Sequence, residues 1–448
     1  MKTLIKNITV LTIDKEMTIL ENANVVIEDY EISSISSFPN NNLYYEKIID
    51  GTNRILMPGF INTHTHVAMS LFRGLGDDMK DRLTELLIPL ENEFANRESV
   101  FKASRLSIAE MLLSGTTCYA DMYTFTNAIA KASKELGIRS FIGQNITNSR
   151  SGEQLSSDHG FEMFENFIEE YKNNPLINGA IAPHSVYMAD EATLVKSKEL
   201  SDKHNVPLLI HLCEMEFESA PYLENYGSVV KYLDSINFLG NNLICAHGIL
   251  VDNEDIKILQ KNNVSIAHCP AGNSKSGRKI APIYEYMNQN VNVSLATDGP
   301  MSGNHMDMLT VMNYTPKLQK VKYLNRSICK AKEIVRMATI NGAKALNIDN
   351  EVGSIEVGKK ADFIIINPNS VNMLPLHDYY AAIVYGMKPS NIQDVFVNGE
   401  LVVENSKLKN ISEEIIIKDF LDEYEKVRIS SKELMNKATK KKFLYVNK

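Results

Sequence analysis

Apolar and polar residues alternate in short runs over roughly the first fifty positions. KNITVLTI, NANVVIED and EISSISS are β-branched stretches parted by polar turns, and they predict strands. From about Ile55 to Ala345 the pattern changes. Eight short apolar runs follow one another: ILMPGFINTH, TTCYADM, RSFIGQNI, NGAIAPH, VPLLIHLCE, LICAHGI, VSIAHCP and VSLATDG. Amphipathic helical stretches such as VFKASRLSIAEMLLS, FEMFENFIEEYK and EATLVKSKELSDKH lie between them. Strand text alternating with helix text is the signature of parallel βα units. Eight such units most simply close into a (β/α)8 barrel. An open doubly wound sheet is the alternative, but no GxGxxG or GxxxxGK[ST] opens any helix. Strand text then returns in GSIEVGKKADFIIINP and IQDVFVNGELVVEN. Strand-rich ends flanking one barrel predict a single small β domain built from both ends. The last stretch, from Ser412, reads as charged amphipathic helix, its Lys-rich tail a solvated face.

The whole-chain numbers narrow the class. The chain has 448 residues, 44% apolar and 23% charged, as an ordinary globular enzyme does. A net charge of -8 argues against a nucleic-acid partner, whose phosphates attract basic patches. Five cysteines are scattered with no CxxC, which predicts reduced thiols rather than a disulfide framework. No run approaches ~20 apolar residues, so no membrane span is expected. The start lacks the apolar core of a signal peptide, and a cytoplasmic location is expected.

Candidate chemistry gathers at the strand ends. Of ten histidines, six fall on or at the ends of the predicted barrel strands: His64, His66, His184, His211, His247 and His268. Asp298 ends the eighth strand, and Glu214 lies just beyond His211. In a βα barrel those ends share one mouth. His64 and His66 form an HxH on a strand, where side chains two apart point the same way. That geometry chelates a metal, and imidazole suits Zn, Fe or Ni. His211 is the natural third ligand and Asp298 a carboxylate ligand, leaving room for a water. Glu214 lies one position past the register of His211, on the loop over the mouth, and is expected to do acid/base work. His247 is either a fourth imidazole ligand or, the preferred reading, a group that holds the bound water. His184 is expected to contact substrate. His268 is read as a supporting or a packing residue. His159, His204, His305 and His377 lie off the strand ends and are read as structural. No strand ends in a lysine able to bridge two metals, so the site is read as mononuclear.

These motifs together resemble the amidohydrolase superfamily. The runs are MPGFINTHTHVAMSLFRGLGDDM, APHS, HLCE, CAHG, AHCPAGNSKSG, ATDGPMSGN and GSIEVGKKADFIII, and the likeness spans residues 1–410. It is strongest to the branch of methylthioadenosine/S-adenosylhomocysteine deaminases and triazine chlorohydrolases. The resemblance implies a metal-bearing TIM-type barrel over 57–350. It implies a β-sandwich from 1–56 and 351–410, with a helical segment over 411–448. It makes His64, His66, His211 and Asp298 the ligands of one Zn2+ per subunit, with Fe2+ also suited. It makes Glu214 the proton shuttle that also meets the substrate, and His247 a helper at the water. His184 matches a substrate-binding histidine. Glu91, in IPLENEF, matches the carboxylate that grips ribose hydroxyls. The departures are a lid without tryptophan, DDMKDRLTELLIPLE, and two tail-binding arginines matched here by Gln144 and Gly160, with Arg150 nearby.

The activity implied is hydrolytic deamination of an amino-heterocycle, releasing ammonia. An adenine nucleoside such as 5'-methylthioadenosine, S-adenosylhomocysteine or 5'-deoxyadenosine is the first substrate reading. A guanine, pterin or triazine amino- or chlorohydrolase is the alternative. A non-catalytic metal-binding barrel is the third. The expected partner is the small-molecule substrate, with homo-oligomerisation open.

Overall fold

The strand text of the two chain ends folds as one sheet. In the computed structural model, which describes residues 2–38 and 44–446 with side chains as far as Met435, that sheet has nine strands. Five come from the start: β1 (Lys2–Leu11), β2 (Ile19–Glu28), β3 (Glu31–Ser36), β4 (Lys47–Asp50) and β5 (Ile55–Pro58). The eight strands of a barrel follow: β6 (Phe60–Thr65), β7 (Thr116–Tyr123), β8 (Arg139–Ile146), β9 (Ile177–Pro183), β10 (Leu208–Leu212), β11 (Leu243–His247), β12 (Ser265–His268) and β13 (Asn292–Leu295). The return segment supplies β14 (Phe363–Ile366), β15 (Ile392–Val397), β16 (Glu400–Glu404) and β17 (Lys407–Leu408). The two ends meet where β5 pairs antiparallel with β14, Met57 opposite Ile364. Ile5, Ile8, Val25, Leu56, Phe363 and Phe396 share its core.

The expected first barrel strand, ILMPGFINTH, is two strands in two sheets. The break falls at Gly59, where a Cβ would sit 2.2 Å from the Thr117 side chain. Only glycine lets the chain pass that close to β7 while it changes sheets.

The barrel strands are all parallel, in order β6 to β13. Between β13 and β6 the barrel is nearly closed, by sparser bonds. Asp298 N donates to His64 O at 3.2 Å, and Thr63 Oγ1 meets Ser294 Oγ at 2.8 Å. The closing seam therefore brings the eighth strand's carboxylate beside the first strand's histidine.

Two outer elements finish the mouth. The lid text becomes a widened helical turn, Leu83–Leu87, running into the helix Ile88–Phe94. Pro89 has no N–H to give Glu85, which accounts for the irregular turn. The helix Glu413–Val446 lies behind it, tied to Arg97–Leu113 by Lys102–Glu423 at 3.0 Å and Arg105–Asp419 at 2.9 Å. Its Val427 packs with Leu71, Leu86, Leu87 and Leu90 beneath the lid. The lysine-rich tail lies outside the described side chains. All five cysteines are buried and unpaired. Among the described residues no helix is long and apolar enough to cross a membrane.

Candidate active site

β6 carries Asn62-Thr63-His64-Thr65, and His66 follows it as the cap of the short helix Val67–Phe72. Asp121, on β7, accepts from Val67 N at 2.7 Å, and Ser107 donates to Val67 O at 2.7 Å. The turn after the histidine pair is thus pinned from two sides. His66 Nδ1–H donates to Met122 O at 2.5 Å, and His211 Nδ1–H donates to His184 O at 2.9 Å. A bond at one ring nitrogen fixes the tautomer and leaves the other as a lone pair. Both lone pairs point inward, the Nε2 atoms 3.3 Å apart. Asp298 Oδ1 lies 3.8 Å from His64 Nε2 and 3.6 Å from His66 Nε2. Ligand atoms of His64, His66 and His211 all fall within 4.8 Å of one another.

The Nε2 atoms of His64 and His247 are buried with no hydrogen-bond partner. Leaving such atoms unpaired costs about 1–3 kcal/mol each, so each needs a guest. A divalent ion fits: the donors are neutral imidazoles and a carboxylate, the set a Zn2+ or Fe2+ prefers. Cys269 also closes on His64 and His247, in a second overlapping triad.

Three residues of the mouth hold left-handed backbone. Cys213, His247 and Asp298 have φ of 50°, 73° and 60°. Left-handed non-glycine residues cost about 1–3 kcal/mol each and cluster where side chains must be aimed. The turn at Cys213 cancels the register offset of Glu214 and swings its carboxylate back over the mouth. Glu214 Oε1 then lies 3.3 Å from His247 Nε2. His247 Nδ1–H is held by Asn273 Oδ1 at 3.0 Å. Arg278 donates to the same Glu214 oxygen.

Burial and charge set the protonation states. Burial, reinforced by neighbouring imidazoles, pushes His64 and His184 well below the usual histidine value and His211 down to about 4. Burial alone would raise Glu214, but His247 and Arg278 outweigh it and hold it below the ordinary carboxylate value. Asp298 is lowered likewise, burial being outweighed by His247, His66 and the Gly299 N–H.

The cluster floors a cavity of about 1370 Å³ that His184, Glu91 and the lid also line. Glu91, an unremarkable helix residue by pattern, is mostly covered. Tyr123 O–H donates to it at 2.5 Å, and burial raises its pKa despite that bond. The His184 ring lies 4.4 Å from the His211 ring. Of the residues given a metal, proton-transfer or substrate role in the sequence, all but His64 line this cavity, and His64 lies beneath it against His66. His268 does not line it; its ring is buried with both nitrogens unpartnered. His159, His204, His305 and His377 stand away from it, as do Gln144 and Gly160, whereas Arg150 lines it. With no tryptophan in the lid, the aromatic lining is Phe125, Tyr123 and Tyr187.

Four participants escaped the sequence pattern: Arg278, Asn273, Tyr123 and Cys269. Asn273 and Cys269 stand inside a motif the sequence offered, and Arg278 directly follows it. Tyr123 had only its place at the end of β7.

Comparison with known proteins gives the same architecture. Residues 55–402 match the model of the amidohydrolase family. A 5-methylthioadenosine/S-adenosylhomocysteine deaminase from Thermodesulfovibrio yellowstonii is 39% identical over 427 residues, 94% of this chain and 97% of that one. A 5'-deoxyadenosine deaminase from Methanosphaera stadtmanae is 37% identical over 424 residues, 93% and 96% of the two chains. A zinc-bound adenosine deaminase from Xanthomonas campestris superposes with a TM-score of 0.92 at 27% identity, covering 95% of this chain and 98% of that one. An atrazine chlorohydrolase from Arthrobacter aurescens, at TM-score 0.86 and 22% identity over 94% of this chain and 100% of the other, shares the fold.

Proposed function

This chain belongs to the amidohydrolase family, and from that premise we propose that it is a zinc-dependent aminohydrolase of a small adenine nucleoside. A hydrolase of the deaminase type acts on the C–N bond of a cyclic amidine. The observation that carries the reading is the convergence of buried imidazole lone pairs with Glu214 and Asp298 on the floor of an open cavity.

His64, His66, His211 and Asp298 would hold one Zn2+, with Fe2+ also suited. When bound, the ion supplies Lewis acidity, lowering the pKa of a water towards ~7. The chain's own residues do the rest. Asp298 and His247 accept and orient the water's proton. Water adds to the ring carbon that bears the amino group. Glu214, ionised at rest, takes the water's other proton and delivers it to the adjacent ring nitrogen, so that negative charge does not accumulate there. Collapse of the tetrahedral adduct, with a proton passed to the nitrogen, expels ammonia. Glu91, oriented by Tyr123, would accept from the ribose hydroxyls, and His184 would contact the substrate. A cytoplasmic location suits five buried, unpaired cysteines.

The substrate is read as a nucleoside without an amino-acid tail, 5'-deoxyadenosine or 5'-methylthioadenosine before S-adenosylhomocysteine. Gln144 and Gly160 lie off the cavity wall, which supports this. Ammonia release across adenine nucleosides, guanine, pterins and triazines tests it. Turnover confined to the last three classes would overturn the nucleoside reading, and no ammonia from any would overturn the activity.

A further inference from the structure

The segment after β12 touches three different parts of the mouth. It forms the short helix Pro270–Lys275 and then turns at Gly277, φ 66°. Arg278 N closes it by donating to Asn273 O at 3.0 Å. From this one segment Asn273 holds His247, and Lys275 reaches Asp77 of the lid at 2.6 Å. Arg278 holds Glu214.

Glu214 is fixed twice over. Its main chain is set by Glu218, whose carboxylate accepts from Cys213 N at 2.8 Å and Glu214 N at 2.9 Å. Its side chain is held at Oε1 alone, by Arg278, and that oxygen lies 3.3 Å from His247 Nε2. Among the described residues nothing bonds Oε2.

We propose that Arg278 is the positioning residue for Glu214, engaging Oε1 so that Oε2 is the oxygen offered to the substrate's ring nitrogen. The assignment rests on Glu214 being the proton carrier of the proposed deamination. A carboxylate held at its main chain only still rotates about its side-chain bonds, and a proton donor must be placed within hydrogen-bond reach. A planar guanidinium fixes a direction that a lysine ammonium does not. Arg278 stands at the rim with its side chain 22% exposed, so its loss should leave the fold intact.

The test uses the zinc-loaded enzyme and its Arg278→Met, Arg278→Lys and Arg278→Ala variants. Arg278→Met should lower kcat by about 10–100-fold, with KM changed by no more than about threefold and zinc content unchanged. Arg278→Lys should recover part of the loss, and added guanidinium ion should restore Arg278→Ala. A crystal structure of Arg278→Met should show the Glu214 carboxylate displaced from His247. Wild-type kcat in Arg278→Met would overturn the proposal. So would a loss that neither lysine nor guanidinium repairs, or a Glu214–His247 contact retained in the crystal. If the unaltered enzyme released ammonia from no heterocycle, the proposed function would fall, and the crystal structure would still decide whether Arg278 places Glu214.

Discussion

Two polar clusters, one at each end of the barrel, are buried in opposite ways. At the bottom, Arg139 at the start of β8 meets Asp362 just before β14, both all but inaccessible. Its Nε and Nη2 donate to the two carboxylate oxygens at 2.8 and 3.0 Å, and its Nη1 to Pro175 O at 3.0 Å. Asp362 also accepts from Asn398 N at 2.7 Å. The pair joins barrel to sheet. At the mouth, His64 and His247 are as deeply buried yet leave Nε2 unpaired, and the chain is strained around them. A satisfied cluster holds the fold together, whereas an unsatisfied one leaves lone pairs that a guest would satisfy.

The sharpest way to break this contrast is to remove the guest. Chelation, or His64→Ala, should abolish turnover by about four orders of magnitude or more, restored in the first case by added zinc. Ammonia release and metal content check this; activity that survives in metal-free protein would dissolve the distinction. At the other end, Arg139→Met leaves Asp362 buried and uncompensated, which costs about 3–5 kcal/mol. Chemical denaturation should show that loss while kcat of the folded fraction stays unchanged. Glu214→Gln should keep its zinc and lose turnover by a factor of ~100 or more. Equal loss of metal would make Glu214 a ligand instead. Glu91→Gln should raise KM by about tenfold for nucleosides and leave free bases unaffected, as steady-state kinetics would reveal.

The smallest effect is a pH dependence. In metal-free protein His211 is held down to about 4, with His64 and His184 lowered in the same sense, chiefly by burial. Above the unfolded histidine value of about 6.5 these rings are neutral in both states. As pH falls from there towards 4 the unfolded chain takes up protons that the folded chain refuses, so stability is lost in that window. Thermal melts of the metal-free protein should show that decline between about pH 6.5 and 4; a flat profile across the window would contradict it.

Much of the mouth was legible in the sequence because a barrel sends all its strand ends one way. His64, His66, His211, His247 and Asp298 announce themselves by place alone. Glu214 was legible as a residue on the loop over the mouth, but not the left-handed turn at Cys213 that aims its carboxylate. Glu91 carried no signal in its own helix, and Tyr123 on β7 is what gives it a partner. Arg278 was invisible for the same reason: its carboxylate partner stands sixty-four positions away, on another loop.

The sequence by itself determined the class: eight alternating units, a β domain from two ends, and a set of metal-ligating residue types at strand ends. Those follow from local periodicity and chain connectivity, which short-range physics fixes. The tertiary structure alone decided where the first strand changes sheets, which nitrogens are left unpaired, and which cation faces Glu214. Those depend on close approach between distant segments, at Gly59 against Thr117 and at Arg278 against Glu214, and no local pattern encodes such a distance.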